Sequence, residues 1–191
     1  NKLVGIDASG LELRMLAHHM EDPAYIKTVV EGSSKDGTDV HTMNMKAAGL
    51  TNRDQAKTFI YAFLYGAGYE KIGSIVGGGQ IAGGKLSRKF LDNTPALKKL
   101  KDKVAIEATS GFILGLDGRK LWIRSAHSAL NTSLQGAGAI LMKRALIILH
   151  KKLKCGIIQA HYVANVHDEW QIEVEEEDAD RVGRMGVEAI K

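Results

Sequence analysis

Cysteine, proline and aromatic residues are all scarce in this chain, and each scarcity removes a class of protein. The 191 residues include a single cysteine, Cys155, so no intrachain disulfide and no Cys-based metal site can form. One free thiol suits a reducing compartment, and the cytoplasm is the expected location. Two prolines and 21 glycines without a repeat exclude collagen-like and Pro-rich disordered chains. Aromatics make up 6% of the residues, too few for the aromatic-lined cleft of a sugar hydrolase. No uninterrupted apolar run approaches the ~20 residues of a membrane span, so no membrane association is expected. The opening Asn1-Lys2-Leu3-Val4 has neither an initiator Met nor a signal-peptide plan. Val182, Met185 and Ile190 read as a helix cut in mid-course, and the chain is expected to be a piece of a longer protein.

What remains is ordinary globular material, 45% apolar and 25% charged, in a chain long enough to bury a core. The net charge of +4 is mild, but its distribution is uneven. Nine Lys or Arg against four acids lie between Lys85 and Lys120, whereas Glu173 to Asp180 carries six acids and no base. A basic middle can meet a polyanion, although solvated helix faces have the same composition.

Leu3-Val4-Gly5-Ile6 reads as a buried strand that delivers Asp7 at its end. Leu13, Leu16, Ala17 and Met20 follow at helical spacing. Thr51 is the expected N-cap of a helix from Arg53 to Tyr65 that stops at Gly66. Ala56, Phe59, Ile60 and Phe63 form its apolar face, while Arg53, Lys57 and Tyr61 step by four along another. Asp117-Gly118 signals a hairpin. Leu134 to Leu149 is the strongest helical pattern, with Gln135 in its first turn. His161–Val166 and Gln171–Val174 read as strands about a polar tip, His167-Asp168-Glu169.

Asp7 and Asp168 therefore end two apolar strands far apart in sequence. On neighbouring strands they converge, and paired hard oxygen ligands suit Mg²⁺ better than Zn²⁺. Two Mg²⁺ ions about 4 Å apart serve in-line phosphoryl transfer. Arg53 and Lys57 can then hold a polyphosphate, the one by its fork and the other as a point charge. A lone Asp at a strand end is more often a cap or turn residue; it is the combination with the cationic helix that points to phosphate chemistry. Gly77-Gly78-Gly79 lacks the Gly-Lys-Ser/Thr of a P-loop, and Ser9 stands in no nucleophile elbow.

Three segments carry a resemblance. Asp7-Ala8-Ser9-Gly10-Leu11-Glu12-Leu13-Arg14 resembles motif A of the family A (Pol I-like) DNA polymerases. Arg53 to Gly66 resembles motif B, the fingers helix, and Val166-His167-Asp168-Glu169 resembles motif C. Their order and internal spacing are the family's. Similarity to the replicative polymerases of podovirus-type phages extends over nearly the whole chain through Asp39-Val40-His41-Thr42, Phe90 to Pro95, Gly115 to Arg119 and Leu130 to Gln135. The resemblance implies an α+β fold: an antiparallel palm sheet with a helical fingers subdomain, a right hand without its thumb. Residues 1–39 would be the first palm part, 40–110 the fingers, and 111–191 the second palm part.

It also implies DNA-templated DNA synthesis on a primer–template with dNTPs, two Mg²⁺ ions, and a processivity factor for the full-length parent. Asp7, Asp168 and the Ala8 carbonyl would bind metal, with Glu169 an auxiliary acid. His41, Arg53 and Lys57 would grip the β- and γ-phosphates, and Lys57 would donate a proton to pyrophosphate. Tyr61 falls at the position governing dideoxynucleotide tolerance, and Glu12 at the steric gate against a ribose 2′-hydroxyl. Tyr65 and Gly66 would lie under the templating pair; Asn131, Gln135 and His167 would touch the primer or the minor groove. Two departures stand out: the stretch between Ser110 and Gly111 is shorter than in the phage group, and His127 replaces an Arg common in cellular members. A single-subunit phage-type RNA polymerase shares the aspartates and the Lys…Tyr-Gly helix but lacks the gate acid. A non-catalytic nucleic-acid-binding fragment is the alternative of another class.

Overall fold

The computed structural model describes residues 1–191. Strand β1 (Lys2–Asp7) is followed by helices α1 (Leu11–Met20), α2 (Pro23–Glu31), α3 (Val40–Ala48), α4 (Arg53–Leu64), α5 (Tyr69–Ser74), α6 (Gln80–Asp92) and α7 (Pro95–Glu107). A short hairpin of β2 (Phe112–Leu114) and β3 (Lys120–Trp122) leads to the long α8 (Ala129–Cys155). The chain closes with β4 (Ala160–Val166), β5 (Glu169–Val174) and α9 (Ala179–Ile190). The contacts divide it into two units, residues 1–12 with 135–191, and residues 13–134.

The first unit is built on an antiparallel sheet of order β1-β5-β4. Strand alternation gives it two unlike faces. Ile6, Trp170, Ile172 and Val174 are buried on one face, against which α9 packs. Gly186 of α9 permits the close approach, because a Cβ there would meet the Ile6 Cδ1 at 2.3 Å. Leu3, Gly5 and Asp7 pair with Glu173, Gln171 and Glu169 on the opposite face. The expectation of a fully buried β1 is corrected accordingly: Leu3 is 60% exposed and only Ile6 is buried. A four-residue apolar run does not reveal which alternate positions face outward.

The second unit is helical apart from the β2–β3 hairpin. The apolar face of α4 is as expected, with Ala56, Phe59, Ile60 and Phe63 all buried. Phe59, Phe63 and Phe90 of α6 meet at ring-centroid separations of 5.1–5.9 Å, two of the three pairs edge to face. Each such pair contributes roughly 0.5–1.5 kcal/mol beyond burial. The N-cap of α4 is Asn52, not Thr51: its side chain accepts from the Asp54 and Gln55 amides at 2.8 and 3.1 Å. Asn outranks Thr at this position. The helix ends in a Schellman arrangement, with Gly66 at φ +74° and the Ala67 amide bonded to the Ala62 carbonyl.

Helix α8 starts at Ala129, five residues before the strongest part of its pattern, so Gln135 lies in its second turn. Burial of Ala129 and Leu130 outweighs the poor helix propensity of Asn131-Thr132-Ser133. With the turn before it, this helix is long and apolar enough to cross a membrane by length and composition alone. Lys143 and Arg144 interrupt it, and Leu134, Ala137, Ile140, Ala145, Leu149 and Leu153 form a buried stripe, as in the core helix of a globular protein.

Helices α5 and α6 cross without side chains between them: a Cβ on Gly83 would meet the Tyr69 carbonyl oxygen at 1.9 Å and the Gly73 nitrogen at 2.7 Å. Its neighbour Gly84 has nothing nearer than 3.8 Å. In chemical denaturation Gly83→Ala is expected to destabilise by about 1–3 kcal/mol through overpacking. Gly84→Ala should instead stabilise by up to about 1 kcal/mol through helix propensity.

Candidate active site

In the first unit, backbone pairing sets the positions of the acidic residues. Asp7 ends β1 opposite Glu169, and the next amide, Ala8 N–H, donates to the Asp168 carbonyl at 3.0 Å. Val166 pairs with Glu169 on β5, leaving His167 and Asp168 as a two-residue turn. His167 has φ +54°, a conformation that favours glycine. The register thus brings the backbone of Asp7, Ala8 and Asp168 together at one end of the sheet. Glu169 lies on the Asp7 face, and its carboxylate accepts from the Gln171 amide. Gly5 between them has no side chain; a Cβ would come within 3.0 Å of Gln171 Nε2 and 3.1 Å of Glu169 Oε1.

Glu12, on the first turn of α1, is held by Gln135 of α8, whose Nε2 donates to its carboxylate at 3.2 Å. The two are 123 residues apart, and this bond gives the expected gate acid and the expected minor-groove amide a common position. No cluster of three or more His, Cys, Asp or Glu side chains is assembled anywhere in the chain. The donor set at the strand ends is two carboxylates and a carbonyl, all hard oxygens. That set fits Mg²⁺, which keeps several positions for water and substrate phosphates.

In the second unit, Arg53, Lys57 and Tyr61 form the expected row on α4. Lys57 is exposed and Arg53 and Tyr61 are partly so. The rings of His41 and Tyr61 lie 6.2 Å apart between centroids, as do those of Tyr61 and Tyr65. His41 is half-buried; its Nδ1 is enclosed without a partner. Burial, with the Arg53 and Lys57 cations nearby, holds its imidazole below the ordinary value. Gly66 has a second reason to be glycine: a Cβ there would meet the His127 carbonyl oxygen at 2.4 Å. Asn131 sits half-buried in the first turn of α8.

One residue of this cluster was not expected from the sequence. Asp39, the N-cap of α3, is only 7% exposed and pairs with Arg53 through Nη2 at 2.7 Å and Nε at 3.2 Å. It also accepts from the His41 amide at 3.0 Å and the Thr42 hydroxyl at 2.7 Å. A capping Asp before Val40-His41-Thr42 is legible as a helix start, but nothing in the sequence links it to an Arg fourteen positions on.

With this geometry in view, the comparisons decide the family. The family model for DNA polymerase family A matches residues 1–191. This chain belongs to that family. Among the relatives of this family A chain, the DNA-directed DNA polymerase of Enterobacteria phage T3 is 44% identical over 98% of it, and that of Escherichia phage T7 is 46% identical over 88%. The chain spans 29% and 26% of the length of those two relatives. A solved structure, the POL domain of Pol1 from M. smegmatis in complex with DNA primer-template and dNTP, superposes with a TM-score of 0.84. It covers all of this chain and 36% of its own at 20% identity, so it shows the α+β polymerase fold.

The Arg53 guanidinium, followed by the Thr42 and His41 bonds, holds the Asp39 carboxyl well below the usual carboxylate range against the opposing cost of burial. A depressed folded value means stability present above the unfolded pKa of about 3.9 and lost as pH falls through the folded value. From pH 4 down toward pH 2, the protein is therefore expected to lose roughly 2 kcal/mol more than Asp39→Asn, the worth of a charged hydrogen-bond set. Parallel acid-denaturation curves for the two forms would refute this.

Proposed function

We propose that this chain is the palm and fingers core of a phage-type DNA polymerase, catalysing template-directed transfer of a nucleotide from a dNTP to a primer 3′-hydroxyl. The observation that carries this reading is the strand register joining Asp7, Ala8 and Asp168 at one end of the sheet. The assignment of residues 1–39 and 111–191 to a palm and 40–110 to fingers belongs to the same proposal. So do primer–template DNA and dNTP as ligands, a processivity factor for the full-length protein, and action in a host cytoplasm.

Asp7, Asp168 and the Ala8 carbonyl would hold two Mg²⁺ ions. When bound, such ions supply Lewis acidity and neutralise charge on the reacting oxygens. The 3′-hydroxyl gives up its proton to solvent and its oxygen forms a new bond to the α-phosphorus while the bond to the pyrophosphate oxygen breaks. Arg53 offers planar N–H donors to the departing phosphates and Lys57 a compact charge and a proton. His41 donates to the same phosphates through its imidazole. Glu12, held by Gln135, fills the space a 2′-hydroxyl would need. Tyr61 lies beside the sugar, and Tyr65 and Gly66 support the templating pair. Asn131, Gln135 and His167 offer donors to minor-groove acceptors, which A·T and G·C pairs both present, so that pair geometry is checked without reading sequence. Glu169, opposite Asp7 and engaged by Gln171, would be an auxiliary acid beside the metal set.

In the full-length protein, Asp7→Ala or Asp168→Ala is expected to slow primer extension by about a thousandfold or more while primer–template affinity is retained. Extension near the unmodified rate by either variant would remove the metal assignment. Glu12→Ala should lower selectivity for dNTP over rNTP at least about tenfold. An unmodified protein that prefers rNTPs would favour the RNA polymerase reading. Primer–template binding with no Mg²⁺-dependent extension would favour a binding fragment.

A further inference from the structure

Asp39 is the only charged side chain in the chain that is buried. Its surroundings make that position costly. It lies beside His41 and Arg53, both read above as ligands of a polyanion, and a carboxylate repels the phosphates they would receive. A helix cap alone does not require this charge, since Ser or Asn caps about as well as Asp. The carboxylate must therefore do something a neutral cap cannot.

Its contacts show what that is. A guanidinium carries five N–H donors in a fixed plane. Asp39 engages the Nε–H and one hydrogen on Nη2, along one edge of that plane. Both Nη1 hydrogens and the second on Nη2 are outside this contact, and that Nη2 hydrogen with the Nη1 hydrogen parallel to it makes the end-on fork that suits a phosphate. The same carboxylate anchors the amide of His41 and the hydroxyl of Thr42. One buried acid thus ties the start of α3 to the start of α4.

We propose that Asp39 is a positioning residue that grips one edge of Arg53 so that the other is presented, pre-oriented, to the triphosphate of the incoming nucleotide. This rests on reading Arg53 as a phosphate ligand. Orientation set in advance lowers the side-chain entropy lost on binding. Because Arg53 would touch phosphates before and during the reaction, losing its orientation should weaken substrate binding more than the chemical step.

Steady-state kinetics of primer extension in the full-length protein test this. Asp39→Asn keeps a capping side chain; it is expected to raise KM for dNTP about tenfold with kcat within about threefold. Arg53→Ala should raise KM at least as much, and the double variant should match Arg53→Ala within about twofold. Thr42→Val, which removes one bond to the same carboxylate without touching Arg53, should leave KM in place. Effects of Asp39→Asn and Arg53→Ala that multiply, or a KM unmoved by Asp39→Asn while Arg53→Ala raises it, overturn the positioning role and leave the phosphate reading standing. A KM unmoved by Arg53→Ala overturns both. Arg53→Lys, which keeps the charge and spares the cap, is an independent check should Asp39→Asn fold poorly. A KM within about twofold of the unmodified protein for Arg53→Lys means that orientation is not needed and overturns the proposal.

Discussion

The register of β1 on β5 is the constraint on which the acidic end of this molecule depends. Side chains alternate along a strand with a period of two, so a slip of one residue would carry Asp7 to the face that holds Trp170 and Ile172. The slip is opposed because the two faces are so different. Ile6, Trp170, Ile172 and Val174 are buried on one side, while Asp7, Glu169, Gln171 and Glu173 lie on the other. Moving the acids inward would desolvate charges, and moving the apolar residues outward would forfeit roughly 1.5–3 kcal/mol for each large side chain. The hydrophobic core under the sheet thus aligns carboxylates on its opposite surface. The backbone bond from Ala8 to Asp168 then closes the β4–β5 turn against the end of β1.

The helical unit solves a different problem, that of keeping cations ready without burying them. Arg53 is 38% exposed along its side chain and Lys57 is exposed, so neither carries a large desolvation cost. Order is supplied from beneath. Asp39 is buried and holds four donor groups from three residues, which satisfies most of its lone pairs and makes its burial tolerable. The aromatic cluster of Phe59, Phe63 and Phe90 fixes the other side of α4. A helix clamped on its apolar side and steered on its polar side has little freedom to misplace the row Arg53, Lys57, Tyr61.

How much of this was legible follows from the range of each interaction. Helix α4, the Asp117-Gly118 hairpin and the β4–β5 hairpin are local patterns, and all three were readable from spacing and turn residues. Which strand lies between the other two is not local. The placement of β5 between β1 and β4 came from the paired residues, although convergence of Asp7 with Asp168 could be anticipated once both were seen to end apolar strands. Boundaries failed where tertiary burial overrode propensity, as at Asn131 to Ser133, and where two capping residues stood side by side, as at Thr51 and Asn52. Gln135 to Glu12 and Arg53 to Asp39 were invisible because a side-chain hydrogen bond leaves no periodic trace. Motif resemblance supplied residue roles that periodicity alone does not carry.

Two backbone positions show how left-handed turns are accommodated in the two units. His167 adopts a left-handed φ in a turn that a glycine would make more easily, a cost on the order of 1 kcal/mol. Glycine there would relax the turn but also free it, and the carbonyl of the next residue, Asp168, must meet the Ala8 amide. Gly66 is the converse case. There the left-handed conformation and the His127 carbonyl leave no room for a side chain, and the absence of one ends α4 directly after Tyr65. Of the two, only His167 gives up conformational ease, and the β4–β5 pairing around it is what sustains that turn.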